Sequence, residues 1–134
     1  MNIILSIKPK WAEKIYSGEK KIEWRKTCPS TVNEGAKVYI YETAPICKVT
    51  GRFTYIGSTK VDAKNLDLSY EFTYDSICVR AGCVKPEDLL KYQGNRASLK
   101  GWKIYTFEKF SEPKTLKEFG LKRPPQSWCY TEHE

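Results

Sequence analysis

The chain has 134 residues, 40% hydrophobic and 29% charged, with 9 Tyr, 5 Phe and 4 Trp. That length fits one domain, able to bury roughly two-thirds of its unfolded surface without metal or disulfide staples, and the aromatic content excludes wholesale disorder. Lys and Arg number 23 against 16 Asp and Glu, a net charge of +7 that suits a polyanionic partner or simple solubility.

No run approaches the ~18 apolar residues of a membrane span. Residues 1–8 hold too short an apolar stretch for a secretory signal, so the expected compartment is the cytosol and no membrane partner is expected. The cysteines stand at 28, 47, 78, 83 and 129, an odd number with no C-x-x-C. They read as reduced thiols acting mainly as small hydrophobes. The one histidine, His133, lies next to the last residue, which excludes a Ser-His-Asp or Cys-His mechanism. No metal-ligand pair, Walker motif or dinucleotide fingerprint is present, so neither a metal nor a cofactor is expected.

In chain order, residues 2–7 (NIILSI) predict a strand. Pro9 suits the first turn of a helix, and Trp11, Ala12, Ile15 and Tyr16 share the face expected to enter the core. Gly18 ends that helix. Residues 20–26 predict a strand with Ile22 and Trp24 on one face and Lys21, Glu23 and Arg25 on the other. Residues 27–35 read as a loop, with Pro29, Asn33 and Gly35. Strands are expected at 37–43 and 48–56, the second with Gly51 at a bulge or a close backbone approach. Residues 62–93 read as helical pieces, with apolar positions at Leu66, Tyr70, Ile77 and Leu89-Leu90 and a helix start at Lys85-Pro86. Cys78 falls within that helical pattern. A fifth strand is expected at 97–107 and a short helix at 112–120. The tail, rich in Pro and aromatics, should pack back onto the body. Trp24 and Trp102 are core candidates, Trp128 belongs to the returning tail, and Lys60, Lys64, Lys85 and Lys91 are assigned to solvated helix faces. The mixture gives an α+β domain with a small, bent sheet or barrel.

The segment from Leu5 to Lys26 carries Gly18, Lys20, Glu23 and Arg25 in a Gly-x-Lys-x-x-Glu-x-Arg arrangement. With this strand, helix and strand order, the sequence closely resembles an ASCH domain of the PUA-like superfamily, across nearly the whole chain and only loosely over 57–95. The tail Pro124-Pro125-Gln126-Ser127-Trp128-Cys129-Tyr130 resembles that of a bacterial and phage subset. The resemblance implies a single domain over 1–134: a small bent β-barrel with flanking helices and a cleft beside the first helix. In this sequence the cleft wall would be Lys8, Lys20, Glu23 and Arg25, with Tyr39 or Tyr41 and the Gln126-Ser127 turn. Family members are linked to RNA binding, to ribonuclease activity and to hydrolysis of N4-acylated cytidine, and fold alone does not choose among them.

The residue chemistry can be weighed separately. Lys and Arg suit a phosphate or a base carbonyl, Glu accepts from an exocyclic amine, and an aromatic stacks on a base. The same three residues, Lys21, Glu23 and Arg25, also fit an ordinary ion-pair ladder on a strand face. The expected partner is RNA or a modified nucleoside or nucleotide, bound by Lys8, Lys20, Glu23, Arg25, Tyr41, Gln126 and Ser127. A small metal-independent hydrolase, with Lys20 and Glu23 as catalytic groups, is the first alternative, and a regulatory protein-interaction module the second. The amidohydrolase members carry Thr where this chain has Glu23. Their distant Glu has no clear counterpart here beyond Glu87. A charged Glu23 beside Lys20 favours a charged lysine over a basic one.

Overall fold

The computed structural model describes residues 1–30 and 35–133; Asn33 of the expected 27–35 loop lies outside them. The elements are β1 (Asn2–Ile7), α1 (Pro9–Tyr16), β2 (Ile22–Arg25), β3 (Lys37–Glu42), β4 (Lys48–Val61), α2 (Tyr74–Gly82), α3 (Pro86–Gln93), β5 (Leu99–Lys114) and β6 (Trp128–Thr131). A 3-10 turn at Leu116–Phe119 joins the last two strands. All six strands belong to one mixed half-barrel sheet in the order β2-β5-β4-β3-β1-β6. β1 and β3 run parallel and every other neighbouring pair is antiparallel. A parallel pair needs a long crossover, and α1 with β2 supplies it.

Both faces of the sheet centre are covered. Ile3, Leu5, Ile7, Val38 and Ile40 pack beneath Ala12 and Ile15 of α1. Ile4, Tyr39, Tyr41 and Val49 point the other way, onto Phe119 of the 3-10 turn. That double burial is why β1 reads as a continuous apolar run instead of an alternation. A third cluster joins Ile22 and Trp24 of β2 to Val61, Leu99, Cys78 of α2 and Leu89 of α3.

Two glycines are dictated by close approach. A Cβ on Gly51 would lie 2.4 Å from the Tyr16 hydroxyl and from the Glu108 carbonyl, and the β3–β4 register shifts beside it, so the expected bulge and close approach coincide. A Cβ on Gly82 would sit 2.0 Å from Trp24 Nε1. Gly82 is therefore a packing glycine, and the left-handed cap of α2 falls on Cys83 at φ 60°.

Several boundaries differ from the sequence reading. β2 is shorter than 20–26, while β4 continues to Val61 and β5 to Lys114. Their antiparallel ladder pairs Val49 with Lys114 at one end and Val61 with Leu99 at the other. Glu112 to Lys114, expected to be helical, are therefore strand. β2 covers only Lys100–Lys103 of β5, so beyond that point β5 has a free edge among the described residues, the setting in which a strand tolerates a proline such as Pro113. A capping box at Thr115 and Glu118 starts the turn that follows. Residues 62–73 hold turns in place of helix, Tyr70 and Ile77 are exposed, and the buried positions of the helical pair include Cys78 and Leu89. The tail does return: β6 pairs with β1, and Trp128 packs edge-on against Trp102 at 5.6 Å.

Candidate functional site

A cavity of about 480 Å³ opens between α1, β2, α3 and the tail. Its apolar walls include Trp11 and Tyr92, and its polar groups are Ser6, Lys8, Lys10, Lys20, Glu23, Arg25, Asp88 and Gln126.

At its base, three charges form a chain. Glu23 is only 4% exposed and Lys20 only 2%. Glu23 Oε1 lies 3.4 Å from Lys20 Nζ, and Glu23 Oε2 accepts from Arg25 Nε at 2.9 Å and Nη2 at 2.7 Å. Glu23 is thus shared between two cations, one on each oxygen. Burying isolated charges would be expensive, and the surroundings offset the penalty group by group. Lys20 Nζ also donates to the Gly82 carbonyl, at the C-terminal end of α2, where the helix dipole favours a cation. The ring of Trp11 lies 5.0 Å from the same ammonium, a cation–π distance. Arg25 Nη2 donates to the Ser6 carbonyl at 2.7 Å and Nη1 to Ser127 Oγ at 3.2 Å. Of the five guanidinium N–H groups, one Nη1 hydrogen remains after these four bonds.

Arg25 therefore ties β2 to β1 and to the tail as much as it faces the cavity. Ser6 reinforces the tie, its hydroxyl donating to the Pro125 carbonyl at 2.7 Å and its N–H to the Ser127 carbonyl at 2.9 Å. Electrostatics at Lys20 are a contest. Burial pushes its pKa below the ordinary lysine value, and the Glu23 carboxylate pulls the other way without restoring it. The net direction is downward although Glu23 pulls upward as the sequence reading has it, and Nζ still donates to the Gly82 carbonyl.

The structure brings together Lys8, Lys20, Glu23, Arg25 and Gln126 along the cavity, with Ser127 bonded to Arg25. It does not bring Tyr41 or Tyr39 there: both belong to the cluster on the opposite face of the sheet. Strand alternation told the two faces of β3 apart but not which one held a site. Glu87 is likewise absent from the lining, and its neighbour Asp88 is present. Lys21 also stays out of the charge chain and is exposed. Several lining residues stand outside the site expected from the sequence, among them Lys10, Trp11, Trp24, Asp88, Leu89 and Tyr92. Trp11, expected on the core face, does pack against the core cluster, partly buried, and it also forms a cavity wall, with Lys10 Nζ 4.5 Å from its ring. Asp88 and Tyr92 stand four residues apart on α3, a spacing that shares a helix face; that signal was legible, but not which way the face turned.

The half-barrel with a charged cleft beside its first helix defines a PUA-like fold. Among solved structures, the ASCH protein of Zymomonas mobilis superposes with a TM-score of 0.76 at 20% identity, covering 96% of this chain and 86% of that one. Two single-substitution variants of the same protein superpose with the same TM-score, at 19% and 20% identity. The chain has the fold of an ASCH domain. No family model matches it. Among curated proteins it is similar to ATP synthase subunit alpha of Ureaplasma parvum, 27% identical over 128 residues. The match takes in 96% of this chain but only 15% of the length of that protein.

Proposed function

We propose that the cleft binds one nucleobase-containing unit of RNA, or a modified nucleoside or nucleotide. The observation that carries this reading is a carboxylate pinned between two cations in a cavity walled by Trp11 and Tyr92. A carboxylate held this way is an acceptor for an exocyclic amine, and aromatic walls supply stacking faces for a base. Lys8 and Lys10 at the mouth suit a phosphate. Charge chemistry and cavity size both favour a ligand of nucleotide dimensions over a buried ion pair kept for stability alone, since such pairs seldom stabilise.

A second reading, metal-independent hydrolysis of an acylated cytidine or of RNA, draws on the lowered pKa of Lys20. A lysine base must shed its proton near neutral pH, and burial moves Lys20 in that direction. Its bonds to Glu23 and the Gly82 carbonyl use the ammonium as a donor, which places the binding reading first.

Substituting Lys20→Arg separates the two. A positioned cation survives the change with part of its binding, because charge is kept and shape altered. A base does not survive it, because a guanidinium does not deprotonate in proteins. Purified protein incubated with N4-acetylcytidine and, separately, with single-stranded RNA, then resolved by chromatography, should return both substrates intact. Turnover that vanishes in Lys20→Arg would install the hydrolase reading instead.

A further inference from the structure

A second cavity, of about 460 Å³, lies where Ile22 of β2 meets β4, β5 and α2. Lys60, Lys100, Lys103 and Tyr74 line it, and no carboxylate does among the described residues. Lys60 belongs to β4, correcting its assignment to a helix face, and stands directly opposite Lys100 on the β4–β5 ladder. Like charges in such a position repel. None of the three lysines makes an ion pair among the described residues. Tyr74 adds a ring to the lining, and Tyr70 and Phe72, in the turn just before α2, are as open to solvent: Tyr70, Phe72 and Tyr74 are 59%, 60% and 59% exposed. Rings Tyr70 and Phe72 meet edge-on at 5.3 Å. So much exposed aromatic surface beside uncompensated cations marks an interaction site.

We propose that this groove binds the backbone of single-stranded nucleic acid, with phosphates on Lys60, Lys100 and Lys103 and bases stacked on Tyr70, Phe72 and Tyr74. Cations that track a backbone beside rings that take any base are the physical parts of such a surface. An acidic peptide would use the lysines but leave the rings without stacking partners. Register places the groove next to the cleft, since Lys100 pairs with Arg25 and Lys103 with Ile22 across β2–β5. A strand with one base in the cleft therefore reaches the groove by turning around the short edge strand β2. The inference makes the ligand a strand instead of a free nucleotide, and it rests on the nucleobase reading only for the base in the cleft.

The test compares wild type with the triple variant Lys60→Gln/Lys100→Gln/Lys103→Gln by fluorescence anisotropy. The probes are a labelled single-stranded RNA of about ten nucleotides, a length within single-strand site sizes, and cytidine monophosphate as a competitor. Each phosphate contact on a single strand adds about 0.7 to the slope of log affinity against log salt. The triple variant should bind the RNA roughly tenfold or more weakly, with a slope lower by about 2, and bind cytidine monophosphate as wild type does. Tyr70→Ala/Phe72→Ala should weaken the RNA about tenfold through lost stacking, with the salt slope unchanged. Unchanged RNA affinity and slope in the triple variant would overturn the groove. So would displacement of the RNA by polyglutamate as effectively as by unlabelled RNA. If wild type binds the RNA with the lysine-dependent slope but never cytidine monophosphate, the groove stands and the cleft reading falls.

Discussion

The two cavities that β2 helps to line hold similar numbers of cations, and the cations at the base of the first are treated in the opposite way to those of the second. In the cleft, Lys20 and Arg25 are buried or nearly so, and each is matched inside the protein by Glu23, a backbone carbonyl or Ser127. In the groove, Lys60, Lys100 and Lys103 are matched by nothing on the protein among the described residues. The difference follows from solvent. A charge out of water must be compensated by the fold, whereas a charge at the surface is hydrated until a ligand arrives. Internal compensation preorganises the cleft and sets geometry; the uncompensated lysines supply attraction and salt dependence. On the proposed reading, the cleft discriminates by shape and hydrogen bonding, and the groove holds a backbone without reading it.

The comparison breaks most visibly at Glu23. Glu23→Gln keeps the volume and removes the charge shared by Lys20 and Arg25. Two buried cations would then face each other uncompensated, and denaturant titration should register a loss of about 3–5 kcal/mol. A loss of a few tenths would mean that carbonyls and water already carry the compensation. Next in size is Arg25→Ala, which removes the bonds to Glu23, Ser6 and Ser127. Calorimetric affinity for a cytidine nucleotide should fall by about 1–3 kcal/mol, through lost positioning of Glu23 and the tail as well as any direct contact. Unchanged affinity would confine Arg25 to a structural tie.

How much of this was visible in the sequence depends on the region. The first 26 residues were legible because their signals are local: Pro9 at a helix start, Gly18 at its end, alternation in β2, and a motif spacing that put Lys20, Glu23 and Arg25 in one neighbourhood. Residues 57–95 were legible only in part: Lys85-Pro86 does open α3 and Cys78 does fall in α2, but the course of the chain between strand and helices was not. Lys60 lies on a strand that outruns its apolar alternation, carried to Val61 by pairing with β5, a long-range effect no local pattern encodes. Tyr41 was misplaced for a related reason. With both faces of β3 buried, period two separates the faces without ranking them. Trp11 is a mixed case: an amphipathic stripe of Trp11, Ala12, Ile15 and Tyr16 predicts burial, and only the depth of each residue in the fold decides that Ala12 and Ile15 are fully buried while Trp11, packed against the core, also walls a cavity.

The smallest effect sharpens the comparison through pH. Burial lowers the Lys20 pKa below its ordinary value. Between that lowered pKa and the ordinary lysine value near 10.4, the unfolded chain holds a proton that the folded chain has released. The contribution of this group to stability therefore rises with pH across that window and is lost as pH falls through the folded pKa. Denaturant midpoints of wild type, taken relative to Lys20→Met, should climb through the window. A relative decline would show that Glu23 and the α2 carbonyl outweigh burial.

The central claim, that the cleft takes a nucleobase, is tested most directly by a crystal structure of the protein soaked with cytidine monophosphate. The base should lie between Trp11 and Tyr92, its exocyclic amine within hydrogen-bond reach of a Glu23 oxygen and its phosphate toward Lys8 or Lys10. Nucleotide ordered elsewhere on the protein, with the cleft holding only solvent, would contradict it.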